Sequence, residues 1–227
     1  MSYTKTLMCL ANSYKDGGRC VAGREMTAAG IGSWIRPVSA RPTQEISEEE
    51  QRYPNGKPLK VLDVTSITMT RHQPHLHQQE NHLIDAAYPW TKERRVLWFE
   101  LQPAIEDPAG PLWLNGFDSQ HGQNDRVPKR RLGEMTRSLY LVHTENLKVM
   151  VTLERAKRRR LRAKFDLCGY SYLIAITDPQ LERQIPASAD SQTNVGDAII
   201  CVSLGEEFKG FAYKLAATVI TRQTAEV

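Results

Sequence analysis

Thirteen lysine and arginine side chains crowd the stretch from Arg126 to Lys164, against three carboxylates, Glu134, Glu145 and Glu154. The whole chain of 227 residues carries a formal charge of only +4, so the sequence on either side is net acidic. Charge gathered in this way suits contact with a polyanion. The end of the stretch is also ordered. From Arg160 to Leu167 charged and apolar residues alternate strictly, which is the period of a strand with one buried face. Leu161, Ala163, Phe165 and Leu167 then point inward. Arg160, Arg162 and Lys164 stand in a row outside, roughly 6.6 Å apart, with Arg158 just ahead of them. Such a ladder can follow a phosphate backbone. A solvated strand face that resists edge pairing gives the same pattern.

A second group lies near the N-terminus: Ser13, Lys15, Gly17, Gly18 and Arg19, then Trp34 and Arg36. Glycines at a turn let a backbone come close to a ligand. Lys15, Arg19 and Arg36 can meet phosphates, and Trp34 offers a stacking plane. The alternative is a plain turn, a core tryptophan and solvated cations. Two further groups are weaker. His72, His75, His77 and His82 could supply metal ligands, or lie in a polar loop. Asp178, Asp197, Glu206 and Glu207 could hold a divalent cation in a nuclease, but Thr177-Asp178-Pro179 is also good turn chemistry. No phosphate-binding loop, nucleophile elbow or HExxH motif occurs.

The elements that must carry these residues read as short strands. Thr6–Ala11 and Arg19–Gly23 flank a turn at Lys15–Gly18 and form a hairpin. Ser33–Val38 is extended, and Leu59–Thr70 is a long strand. Ile46–Arg52 reads as a brief helix capped by Ser47. His75–Asp85 is polar, a strand edge or a loop. Prolines, glycines and tryptophans between Tyr88 and Gln123 mark a connector, with a short helix around Lys92–Phe99. Strands return at Leu139–Val142, Leu147–Leu153, Arg160–Leu167, Tyr172–Thr177, Ala198–Leu204 and Ala212–Ile220. Many short strands and few helices point to a mainly β protein of two OB-like barrels. The expected division is residues 1–86, a connector at 87–134, and residues 135–227. The sequence shows no internal repeat.

Composition, 41% hydrophobic and 25% charged, is that of a globular protein. No apolar run reaches about 18 residues, so no membrane span is expected. Cys9, Cys20, Cys168 and Cys201 form no CxxC pair and sit in apolar contexts. They read as reduced core thiols in a cytoplasmic protein that lacks a secretion signal.

Leu10-Ala11-Asn12-Ser13-Tyr14-Lys15, Gly18-Arg19-Cys20-Val21-Ala22-Gly23 and Trp34-Ile35-Arg36-Pro37-Val38 resemble the start of the dual OB-containing domain family. Gly169–Leu173, Thr177-Asp178-Pro179, Cys201–Glu206 and Tyr213–Ala217 are similar to its later signatures, in the same order. Tyr14 departs from the small basic residue of that turn. The resemblance implies two OB-like barrels and a place in prokaryotic genome defence, with nucleic-acid sensing or binding and defence proteins as partners. The resulting expectation is a cytoplasmic module that binds single-stranded DNA or RNA without a cofactor. Its binding residues are Lys15, Arg19, Trp34, Arg36, Arg158, Arg160, Arg162, Lys164, Tyr213 and Lys214. Tyr14, Tyr170 and Tyr172 are further stacking candidates. A metal-dependent nuclease, a nucleotide-processing enzyme and a protein-interaction adaptor remain the alternatives.

Overall fold

A computed structural model describes residues 2–15, 17–153, 159–185 and 192–226. It is mainly β and divides into two compact units, Met1–Ala104 with Ala225–Val227, and Ile105–Thr224. The first holds β1 (Tyr3–Lys15), β2 (Gly18–Thr27), β3 (Gly30–Val38), β4 (Asp63–His72), β5 (Asn81–Ile84) and β6 (Thr91–Arg95). The second holds β7 (Arg126–Pro128), β8 (Leu139–Leu153), β9 (Arg159–Leu167), β10 (Tyr170–Ile176), β11 (Gln192–Phe208) and β12 (Phe211–Ile220).

In the first unit the ladder runs β1-β2-β3-β5-β4, and β4 pairs back with β1, which closes a five-strand ring. In the second it runs β8-β9-β10-β12-β11, with β11 back on β8. Each ring contains one parallel pair, β3 with β5 and β10 with β12. The two units therefore share one strand order, that of the five-stranded Greek-key barrel called the OB-fold. Alternation supplies each core. Leu7, Cys9, Val21, Ile35, Ile67 and Met69 fill the first. Val149, Val151, Leu161, Ala163, Phe165 and Tyr172 fill the second. Phe165 lies opposite Tyr172, and their rings stack at 5.2 Å, a favourable offset arrangement.

Several local expectations change. β5 reaches only the Met69–His72 part of β4, which leaves the Asp63–Ser66 edge open. Thr91–Arg95 fills that edge as β6, where a helix was expected, because an unpaired edge recruits a strand. A 3₁₀ helix follows at Trp98–Ala104. The polar stretch before Asp85 contains β5 and so closes the first ring. At Ser47 the capping box forms: Glu50 N–H donates to Ser47 Oγ at 3.1 Å, and Ser47 N–H to Glu50 Oε2 at 2.8 Å. Only one turn follows, because the Tyr53–Lys57 turn redirects the chain. Leu139–Leu153 is one strand, with a bulge opposite Gly196 absorbing the break between two apolar runs. The stretch expected as a connector is shared, with Ala104 in the first unit and Ile105 in the second. Among the described residues no helix is long and apolar enough to cross a membrane.

Candidate nucleic-acid interface

The N-terminal group is built differently from a phosphate grip. Lys15 and Gly18 do close a hairpin. However, a Cβ on Gly18 would lie 2.7 Å from the Ile46 carbonyl, so that glycine serves packing against the Arg19–Ile46 bridge, not ligand approach. Arg19 pairs with Glu48 at 3.0 Å and lies over the exposed Tyr14 ring at 4.7 Å. Lys15 lies in the field of Glu45. Arg36 is corrected from surface to interior. It is 4% exposed and donates to Glu80 Oε1 at 3.0 Å and to Cys20 Sγ at 2.9 Å. Burial works against its charge, but Cys20 and Glu80 hold its pKa above the ordinary arginine value. Trp34 stands outside the hydrophobic core, half-buried, with Arg24 over its ring at 5.6 Å.

The β9 row is also divided. The apolar side of Arg159–Leu167 faces the core as the alternation requires. Of the three outward cations only Lys164 is exposed, with the exposed Asp166 two residues further along the same side. Arg160 is half-buried, and Arg162 is 6% exposed, donating to Thr152 Oγ1 at 3.3 Å and lying 3.8 Å from the buried Asp125. Arg162 is therefore no longer an open phosphate contact. Arg158 lies outside the described residues. What the row brings together instead is Lys164 and Lys148, directly opposite each other on β9 and β8. Neither makes an ion pair among the described residues. Like charges directly opposite on adjacent strands repel. The sequence between β8 and β9 adds Arg155, Lys157 and Arg158, which lie outside the described residues. Lys148 lay in the basic stretch, but only the register shows its partner.

Lys214 is a second correction. It is 1% exposed, donates to the Leu114 carbonyl at 2.7 Å and Asn115 Oδ1 at 2.9 Å, and sits 5.1 Å over the Tyr172 ring. Burial lowers its pKa to about 7, with Asp125 and Asp118 pulling the other way. Tyr172 is core, its hydroxyl accepting from Leu112 N–H at 2.9 Å. Tyr170 is exposed at the start of β10, and Tyr213 is half-buried on β12.

The other constellations resolve into structure. Asp178 caps α1 (Pro179–Gln184), accepting from Gln180 and Leu181 N–H, and also from Val219 N–H at 3.1 Å. Burial raises its pKa against those three donors. Asp197 bonds His143 at 2.6 Å and Glu207 pairs with Lys129, so these carboxylates do not converge. His82 accepts or donates at 2.7 Å with Tyr3 Oη, and its ring lies 4.7 Å from that of His72. No cluster of three or more metal-ligating groups occurs among the described residues. Cys9 and Cys201 are buried and Cys20 is half-buried, but Cys168 is exposed in the β9–β10 turn, contrary to its expected core position.

The dual OB-containing domain family matches residues 5–219. No curated protein matches the chain. Among solved structures the chain is similar to "Crystal structure of the tetrameric p202 HIN2", at 6% identity over 97% of this chain and 92% of that one, with a TM-score of 0.29. A likeness that slight carries no argument. The family match spans nearly the whole chain, and two five-strand rings of OB order lie within it. The chain belongs to the dual OB-containing domain family.

Proposed function

We propose that the protein binds single-stranded DNA or RNA through the outer β8–β9 face of its second barrel. The observation that carries this reading is the opposed Lys148–Lys164 pair. Two cations held face to face without a carboxylate weaken the sheet unless an anion lies between them. A phosphate backbone is such an anion, and the sequence after Leu153 adds the cations Arg155, Lys157 and Arg158, outside the described residues. OB barrels bind oligonucleotides on the face of their second and third strands and on the loop between the first and second; in the second ring β9 is the second strand, so Lys164 lies on that face and Lys148 beside it. Exposed Tyr170 and Tyr14 and the half-buried Trp34 remain stacking candidates, and Lys15, Arg19 and Arg160 remain candidates for secondary phosphate contacts. A role beside partner proteins in prokaryotic defence follows from the family resemblance alone, and a cytoplasmic location from the unpaired cysteine spacing.

The test is fluorescence anisotropy with labelled single-stranded DNA and RNA at two salt concentrations. The Lys148→Ala/Lys164→Ala double variant should bind more weakly whatever the sequence. Its salt slope should be shallower by about 1.4, at about 0.7 per phosphate contact on single strands. Unchanged affinity and slope would remove this face from the site. Complete lack of salt-sensitive binding by the wild type would favour the adaptor reading.

A further inference from the structure

Phe208 and Phe211 are directly opposite across the β11–β12 turn. Both residues between them have positive φ, 51° at Lys209 and 86° at Gly210. This is type I′ geometry, which sets the closing pair side by side with Cβ atoms about 5 Å apart. Glycine adopts it freely, whereas lysine does so against its Cβ. The strained position thus holds a cation at the tip, where Asn or Gly would fit with less strain. Lys209 Nζ sits 5.2 Å over the Phe208 ring, and Phe208 is 60% exposed.

β7 extends this surface. It pairs Arg126 with Tyr213 and Pro128 with Phe211, so all four share one side of the sheet. Val127 and Ala212 take the buried side. The Arg126 guanidinium lies 3.9 Å over the Phe211 ring, and its buried Nε has no hydrogen-bond partner among the described residues. Alongside opens a hollow of about 620 Å³, with Phe117, Pro128 and Phe211 in its lining and Lys129 and Arg130 beside them. Lys129 pairs with Glu207 at 3.2 Å, while Arg126, Arg130 and Lys209 make no ion pair among the described residues.

We propose that this hairpin and hollow are a base-stacking site for a single-stranded nucleic acid. One unstacked base enters against Phe211, its neighbour lies on Phe208, and the flanking phosphates meet Arg130 and Lys129. Planar rings interleaved with cations, Arg130 without a carboxylate partner among the described residues and Lys129 shared with Glu207, match the alternation of base and phosphate along a single strand, and stacking tolerates any base. An acidic peptide would satisfy the cations but would leave the exposed rings unused. The inference rests on the nucleic-acid reading above but concerns a surface separate from Lys148 and Lys164.

The experiment compares oligothymidylate of about 15 nucleotides with an abasic strand of the same length, which keeps the phosphates and lacks the bases. The wild type should prefer the strand with bases. Phe208→Ala and Phe211→Leu should each raise Kd for oligothymidylate by about 5- to 150-fold, the equivalent of about 1–3 kcal/mol per stacked base, with the salt slope unchanged. Arg130→Ala should lower that slope by about 0.7. Phe208 is solvent-exposed, so its variant decides the matter if Phe211→Leu loses thermal stability. Wild-type binding that both phenylalanine variants retain in full overturns this site and leaves the general function standing. A wild type that binds no oligonucleotide overturns both. A Glu-rich peptide that binds and is weakened equally by the phenylalanine variants would assign the hairpin to acidic protein and also overturn the proposal.

Discussion

Arg36 and Lys148 are both basic but sit in opposite environments in the two barrels. Arg36 is sealed against Glu80, with both side chains nearly excluded from water. Removing one member of a buried pair strands the other charge. Arg36→Ala should therefore cost about 3–5 kcal/mol of stability, read by chemical denaturation. Lys148→Ala should instead leave stability unchanged or slightly higher, because it removes a cross-strand repulsion of about 0.2–1 kcal/mol. Trp34 belongs with Lys148. Because it lies outside the core, Trp34→Ala should stay well short of the 3–5 kcal/mol typical of a buried tryptophan. A larger loss in the same denaturation experiment would place it in the core after all. Asp178 belongs with Arg36. It satisfies two N–H groups of α1 and one of β12, so Asp178→Ala should cost about 2–3 kcal/mol.

The elements that matter most are tight turns and added edge strands. The β11–β12 turn places lysine in a left-handed conformation, which costs about 1–2 kcal/mol relative to glycine. Lys209→Gly should raise the melting temperature while weakening oligonucleotide binding. Stability and binding moving in opposite directions would mark a residue kept for the ligand. A melting temperature that falls would mean that the turn carries no such strain. β6 and β7 each complete an exposed edge, on β4 and β12. Their sequences announce neither role: Thr91–Arg95 is charged, and Arg126–Pro128 is three residues long. Their strand character comes from the partner that needs them.

At the scale of the molecule, two units with separate cores should unfold in two steps, visible by calorimetry as a departure from two-state behaviour. Their pH responses should differ. In the first unit, burial and the neighbouring His72 and Lys5 lower the His82 pKa from 6.5 to about 4. Between those values the unfolded chain binds the extra proton, so stability falls as pH drops from 6.5 to 4. In the second unit, Lys214 falls from 10.5 to about 7. The unfolded chain again binds more protons between those values, so stability rises from pH 7 toward 10.5. Acid should therefore lower the first unit's transition, and alkali should raise the second's. His82→Gln and Lys214→Met should flatten the respective windows. An alkaline rise that survives Lys214→Met would assign it to another group.

The sequence by itself determined the longer strands and their apolar faces, because a period of two is written locally in residues such as Leu161, Ala163 and Phe165. It also determined the overall concentration of positive charge, which needs no geometry. The family signatures were legible for the same reason, as short contiguous runs. Pairing is a property of residues far apart in the chain, so only the tertiary structure decided that Asn81–Ile84 closes a ring with β3 and β4. The same holds for the shared strand order of the two units, which leaves no repeat in the residues themselves. Tertiary structure also sorted the cations. Arg36, Arg162 and Lys214 look like Lys148 and Lys164 in the sequence, but Glu80, Asp125 and the Leu114 carbonyl take the first three inside. Whether a positive charge faces a ligand or a buried partner depends on what the fold packs against it, and that partner lies 37 to 100 residues away along the chain in each of the three cases.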